Sequence, residues 1–389
     1  MGLTLSFEQV LQWLRRHGEY VKSLCITDPV KQGKADETSW QVFRNGLVAM
    51  LVHTPHLEVL RCHGLGSFFI PENGIYILKR FLRLRSLCLG MEFCEAWNEA
   101  TLHALCHLTC LDTLSITVYN MDSAPLLLAP EMSQMTALTN LSLRRPCTYD
   151  IADHPEPAVT MPNLVKVVAN LTNLSTLVLH GVSNGFPDSF ASLKMLRKLT
   201  ISDSNLWEGP AVVISPALTA CSNLEGLCLT GLSCSSSIAL PTYCNITCQL
   251  PSLRRLGIRI SGLSELDAAT CDFSSSLTEL ELACDWSVLP PSVLSMTSLA
   301  KLEFCPNYGY GVPVIGLYLN NLKNLRLSVR PRDLSPEFLK AAKSLEILSL
   351  FLDEDAEEVL DEEAESLLAH VAPACSLMVG DDYWDPPHV

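Results

Sequence analysis

The segment Leu111-Asp112-Thr113-Leu114-Ser115-Ile116 recurs with the same spacing of apolar residues as Leu138-Thr139-Asn140-Leu141-Ser142-Leu143. Each segment is a hexad with apolar residues at positions one, four and six. Thirteen copies begin at Val21, Leu57, Leu84, Leu111, Leu138, Leu174, Leu196, Leu224, Leu253, Leu277, Leu299, Leu322 and Leu345. Successive copies start 22 to 36 residues apart, so the chain is built from one repeated unit.

Positions four and six of each hexad alternate with polar residues, which predicts a short strand with one buried face. One such strand cannot bury its face alone, so neighbouring copies must stack into a parallel sheet over a leucine core. The connectors show helical spacing, as at Trp40, Phe43, Leu47 and Leu51. Helices are wider than strands, so we expect a horseshoe with a concave sheet. From Leu253 onward the copies are closer together, which predicts tighter connectors.

These repeats resemble those of leucine-rich-repeat proteins, which are about 20–29 residues long. The resemblance implies an α/β leucine-rich-repeat solenoid of about 13 repeats with a C-terminal cap. We expect an N-terminal capping helix in residues 1–20 and the solenoid in residues 21–352. Residues 353–389 are expected to form an acidic capping helix, a strand near Leu377 and a tail. Solenoids need such polar ends because the last repeat has no neighbour.

The opening segment adds a second resemblance. Residues 7–26 contain Trp13-Leu14 and His17, followed by Val21, Leu24 and Ile26. This is similar to the stretch that joins an F-box to the first repeat in F-box/leucine-rich-repeat proteins of green algae and plants. The resemblance implies a substrate-recognition subunit of a ubiquitin ligase, with the adaptor as a partner if an F-box lies upstream. We expect no F-box before Phe7. The alternatives are a structural component of a cytoskeletal or ciliary assembly and, third, a receptor ectodomain.

Charge and cysteine usage limit which ligands and which cellular compartments we expect. The net charge is −15; residues 1–200 hold 17 cations and 17 acids, whereas residues 201–389 hold 10 and 25. This sign argues against nucleic acid as the ligand, because phosphate contacts need clustered cations. The 16 cysteines are spread over the repeats, and we recognise no signal peptide, which together favour a reducing compartment. We therefore expect the cytoplasm, with the nucleus or a cilium as alternatives, and no membrane span.

We find no motif for catalysis. Cys106, His107 and Cys110 resemble metal ligands, but their spacing lacks a second matched pair, and we expect this group to pack within a helical connector. The chain contains no phosphate loop and no nucleophile elbow. We therefore predict a non-enzymatic protein-binding scaffold without cofactor or metal.

The predicted protein-binding site lies on the outward side of the sheet in the second half. Its charged members form two rows across neighbouring strands, about 4.8 Å apart from strand to strand. One row is Arg255, Glu279 and Lys301, and the other is Glu281, Glu303 and Arg326, with Arg259 beside them. Opposite charges in register can form a ladder of ion pairs. The like-charged step from Glu281 to Glu303 indicates a place for a cationic group of a ligand.

Aromatic residues complete this site. Trp286, Tyr308 and Tyr310 follow the same strands into the predicted rim loops. Aromatic side chains beside charges are typical contact anchors, although rim aromatics also cap cores. We expect this region to contribute more to binding than the small residues near Ser86 and Thr117.

Overall fold

The computed structural model describes residues 7–27, 48–63, 78–93, 103, 105–120, 130–144, 164–180, 188–202, 216–233, 247–261, 271–284, 289–306, 321–329, 345–352 and 376–378. The chain divides into two compact units, Met1–Arg197 and Lys198–Val389, here called the first and the second unit. The expected boundaries at residues 20 and 352 remain predictions.

Each of the thirteen hexads contributes a strand, as the alternation predicts, and a fourteenth strand follows them. In the first unit the strands are β1 (Ser23–Thr27), β2 (Val59–His63), β3 (Ser86–Phe93), β4 (Thr113–Asn120), β5 (Asn140–Arg144) and β6 (Thr176–His180). In the second unit they are β7 (Lys198–Ser202), β8 (Gly226–Ser233), β9 (Arg255–Ser261), β10 (Glu279–Cys284), β11 (Lys301–Pro306), β12 (Asn324–Val329), β13 (Ile347–Leu352) and β14 (Ser376–Met378). Within each unit, the strands lie side by side in chain order.

A backbone contact sets the start of these strands. The carbonyl of Asp112 accepts hydrogen bonds from the N–H groups of Thr139 (2.8 Å) and Asn140 (2.9 Å) in the next repeat. The same double acceptance occurs at the carbonyls of Lys22, Glu58, Arg85, Asp112, Thr139, Glu225, Arg254, Thr278, Ala300 and Lys323. Because each of these residues directly precedes a strand, the contact aligns that strand with the strand of the next repeat.

Leucines at equivalent positions form the core. The parallel register places Leu114 opposite Leu141 in the first unit, and Leu280 opposite Leu302 in the second. These side chains are at most 1% exposed. The residues between them in each strand lie on the other side, where exposure is mostly intermediate. The alternation in the sequence therefore separates a leucine core from a variable outer face.

The described parts of the connectors contain both α-helix and 3₁₀ helix. Leu164–Asn170 is an α-helix, but Pro130–Gln134, Asp188–Ser192 and Pro216–Ala220 are 3₁₀ helices. Cys106–Cys110 forms turns after a helical residue at Leu105, so the helical connector expected there is wrong at these positions. In the second unit, Pro291–Leu294 is a single helical turn that starts at a proline, as the tighter spacing predicts.

The N-terminal segment packs onto the first repeats. Helix Phe7–His17 buries Leu11 and Leu14 against Met50, and the 3₁₀ helix Gly18–Tyr20 leads to β1. Gly18 is required here because a Cβ would overlap the carbonyl of His53. At the other end, β14 pairs with β13 where a closing strand was expected. The predicted acidic helix in 353–371 and the residues Trp40 and Phe43 lie outside the described residues.

The fold is therefore a leucine-rich-repeat solenoid: short parallel strands, one per repeat, over a core of stacked leucines. Within the ranges that the structure describes, no helix combines the length and apolarity that crossing a membrane would need.

The core predicts a large loss of stability when one leucine is truncated. Leu227 is 2% exposed, and Leu227→Ala should lower the free energy of unfolding by about 2–5 kcal/mol through the cavity it leaves. Leu82→Ala is the matched control, because Leu82 is 66% exposed and should change little. Urea denaturation measures both. Equal effects of the two substitutions would contradict the assignment of Leu227 to the core.

The cysteines predict the redox state. Cys25, Cys62, Cys88, Cys228 and Cys305 are thiols in the structure. Alkylation of native protein without a reductant, followed by unfolding and further alkylation, should label all 16 cysteines. Mass spectrometry counts the added groups. Several unlabelled cysteines would indicate disulfides and favour an oxidising compartment.

Candidate protein-binding face

The charged residues predicted as a site lie on four consecutive strands of the second unit. We call this set the charged face; its members are Arg255, Arg259, Glu279, Glu281, Lys301, Glu303 and Arg326. All seven occupy positions that alternate with core residues such as Leu256, Leu280 and Leu302. The aromatic members of the prediction, Trp286, Tyr308 and Tyr310, lie outside the described residues.

The first row has the predicted register. Glu279 on β10 pairs with Arg255 on β9 and with Lys301 on β11 in the parallel ladder. The Nε atom of Arg255 lies 3.0 Å from Oε1 of Glu279. Both side chains are more than a third exposed, so this ion pair adds little stability and the groups remain accessible to a partner.

The second row is also in the predicted register, but its burial was not foreseen. Glu281 pairs with Glu303, and Glu303 pairs with Arg326. Glu303 is only 3% exposed, which is rare for a carboxylate on the outer face of a sheet. Its Oε1 lies 3.2 Å from Nε of Arg326, and its Oε2 lies 4.0 Å from Nζ of Lys301. The positive charge that the sequence assigned to a ligand is therefore supplied by the chain itself.

The surroundings of Glu281 favour its protonated form. Burial, and then the charge of Glu303, raise its pKa to about 7, although Lys301, Arg326 and Arg259 act in the opposite direction. A carboxyl with this pKa changes charge near neutral pH, so the charge of the face depends on pH.

Gly257 and two thiols border the carboxyl pair. Gly257 lies opposite both Glu281 and Cys228, and a Cβ at Gly257 would lie 3.1 Å from the Cys228 sulfur. Burial raises the pKa of Cys228 and of Cys305 to about 12 in each case. These thiols stay protonated, which makes them poor nucleophiles and poor metal ligands. Nor do the described parts of the chain bring three metal-ligating side chains together anywhere.

The outer face of the first unit is less charged. Among the described side chains of its six strands, Arg61 and Arg144 are charged, whereas Ser115 and Thr117 are typical of the other positions. Arg144 Nε donates a hydrogen bond to Ser142 Oγ at 3.3 Å. Burial and the nearby Arg144 lower the pKa of His180 to about 4, so this histidine is neutral at physiological pH. The strands of the first unit therefore present fewer charged side chains than those of the second unit, as the sequence predicts.

Sequence reasoning missed Gly257, Cys228 and Cys305 as neighbours of the site. The hexad register could have found all three. Position five of successive hexads holds Cys228, Gly257 and Glu281 in turn, and Cys305 lies two residues after Glu303 on β11. The burial of Glu303 had no signal in the sequence.

Comparison with known proteins finds similarity in structure only. No protein-family model and no curated protein sequence matches the chain. A leucine-rich-repeat protein of Leptospira interrogans aligns over 85% of this chain and 80% of its own, at 18% identity and a TM-score of 0.44. TLR13 in complex with ssRNA13 aligns over 90% of this chain and 49% of its own, at 16% identity and a TM-score of 0.44. The plant peptide hormone receptor RGFR1 in complex with RGF2 aligns over 93% and 64%, at 14% identity and a TM-score of 0.40.

The raised pKa of Glu281 predicts how stability changes with pH. The folded chain keeps a proton on Glu281 between the ordinary glutamate pKa of 4.5 and about 7, whereas the unfolded chain has lost it. The free energy of unfolding should therefore fall as pH rises through this window, by at most about 1.4 kcal/mol per pH unit. In Glu281→Gln this contribution should be absent. Urea denaturation at several pH values tests it, and equal pH slopes in both proteins would contradict it.

Proposed function

We propose that the chain is a non-enzymatic scaffold that binds a protein or an exposed peptide on the charged face. The observation that supports this most is the density of charge on one sheet surface. Four adjacent strands present seven ionisable side chains there, and five of the seven occur in ion pairs between or along strands. A surface built for stability alone gains little from such pairs. Exposed ion pairs contribute only about 0–1 kcal/mol, and the desolvation of a buried carboxylate such as Glu303 offsets the gain from its pairs.

The rigidity of the sheet supports the proposal of peptide recognition. The strands hold their side chains on a rigid backbone, so the spacing of the charged groups does not need to form on binding. The aromatic residues Trp286, Tyr308 and Tyr310 extend this proposal, since large rigid side chains next to charges are common at binding hot spots.

The more specific form of the proposal is a substrate-recognition subunit of a ubiquitin ligase in the cytoplasm. It rests on the resemblance of residues 7–26, where helix Phe7–His17 leads into β1. Copurification of the ligase adaptor with the protein as it is expressed from its own gene tests this form. Copurification of cytoskeletal or ciliary proteins without the adaptor would instead favour the structural alternative.

We predict that substitutions on the charged face selectively reduce the binding of partner proteins. Arg255→Ala with Lys301→Ala removes two exposed cations and should release bound proteins in a pull-down from a native extract. Each substitution should weaken binding by up to about fivefold, because one exposed charge contact contributes up to roughly 1 kcal/mol. The matched control is Lys166→Ala with Lys194→Ala, which removes the same charge from exposed connector positions.

A second pair of double variants compares the contribution of the second unit to binding with that of the first unit. Trp286→Ala with Tyr308→Ala should also lose partners, whereas Ser115→Ala with Thr117→Ala should retain them. Circular dichroism establishes that all variants are folded. The site assignment fails if the charged-face and aromatic variants keep the same partners as the two controls.

A further inference from the structure

The strands of the second unit are more cationic than the chain to which they belong. Among the described strands β7 to β14, Lys and Arg occur five times and Glu three times, a difference of +2 (five minus three). The cations are Lys198, Arg255, Arg259, Lys301 and Arg326, and the acids are Glu279, Glu281 and Glu303. The whole chain has a net charge of −15. The sheet surface thus has the opposite sign to the rest of the protein.

The burial of Glu303 makes the solvent-exposed part of this surface still more cationic. The side chain of Glu303 is 4% exposed, whereas those of Arg326 and Lys301 are 35% and 45% exposed. Two cations therefore share one carboxylate that is itself withdrawn from solvent. At this point an approaching molecule therefore contacts the side chains of Arg326 and Lys301 more than the carboxylate of Glu303.

Glu281 adds little negative charge below neutral pH, because its pKa is raised by burial and by Glu303. The described groups that interact with it lie on the strands on both sides of β10: Cys228 on β8, Arg259 on β9, Lys301, Glu303 and Cys305 on β11, and Arg326 on β12. Three of these are cations and one is a carboxylate. The protonated form of Glu281 can in addition donate a hydrogen bond to an oxygen of a ligand.

We infer that the charged face binds an acidic segment of its partner, with Asp or Glu carboxylates of the segment placed against Lys301, Arg326 and Arg259. This inference rests on the proposed function and names the chemistry of its partner. The cations extend from β9 to β12, which are three strand steps and therefore about 14 Å apart. A surface of this length fits several side chains of an extended peptide rather than one small anion.

A nucleic acid fits the same surface less well. Phosphate backbones are bound by rows of cations, and here Glu279, Glu281 and Glu303 alternate with the cations along the ladder. The net charge of −15 also repels a long polyanion more strongly than a short acidic segment.

The test uses the full chain and three fluorescent probes of equal length: a poly-glutamate peptide, a poly-lysine peptide and a single-stranded RNA. Fluorescence anisotropy at constant ionic strength should give the tightest binding for poly-glutamate. Lys301→Gln should weaken that binding by about fivefold. The control Lys166→Gln removes the same charge from an exposed position on the helix Leu164–Asn170 and should leave the affinity unchanged.

The pH dependence provides a readout that a nonspecific charge effect would not give. A carboxylate ligand favours neutral Glu281, so its affinity should fall by up to about tenfold from about pH 6 to about pH 8. Glu281→Gln should remove this dependence and also corrects for titration of the peptide itself. Circular dichroism confirms folding at each pH.

Several results would overturn the inference: tighter binding of poly-lysine or RNA, an equal loss with Lys166→Gln, or an affinity that rises with pH. If poly-glutamate does not bind but the charged-face variant still loses partners from extract, the acidic partner is wrong and the proposed function stands. If neither effect occurs, both are wrong.

Discussion

The structure depends on one backbone interaction: the carbonyl before ten of the described strands accepts two N–H groups from the next repeat, as Thr278 does from Ala300 and Lys301. Hydroxyl groups also donate to some of these carbonyls, as Thr139 Oγ1 does to the carbonyl of Asp112. The paired N–H groups nevertheless bind the carbonyls of threonine, arginine and aspartate alike. It fixes where each strand begins relative to its neighbour. Because side chains alternate along a strand with a period of two, this one choice places every leucine of a hexad on the core side.

The same constraint explains the unusual chemistry of the charged face. Glu281 and Glu303 occupy equivalent positions on neighbouring strands, and the strands cannot slip to separate them without exposing Leu280 and Leu302. The repulsion must therefore be relieved by other means. Part is relieved by Arg326 and Lys301, which pair with Glu303, and part by the proton that Glu281 retains. A backbone register that is set by apolar burial thus determines a pKa on the opposite side of the sheet.

The periodicity of the hexads predicts the strands, the leucine core and both charged rows, because register alone decides where these residues lie. The burial of Glu303 and the pairing of Lys301 along its own strand were not predicted. They depend on side-chain conformation and on how closely neighbours pack, for which the sequence has no periodic signal. The 3₁₀ connectors were missed for a similar reason: the same apolar spacing suits a short tight turn and a longer helix.

The sign of the net charge is a poor guide to the partner of such a protein. A charge of −15 acts through its field, which salt screens over about 10 Å at 0.1 M. At contact distance the local groups decide, and on the charged face these are cations above a buried carboxylate. Long-range repulsion of an acidic partner would lower its association rate, whereas local pairing would lower its dissociation rate. The two effects respond differently to salt, so kinetic measurements at two ionic strengths can separate the field of the chain from the local chemistry of the charged face.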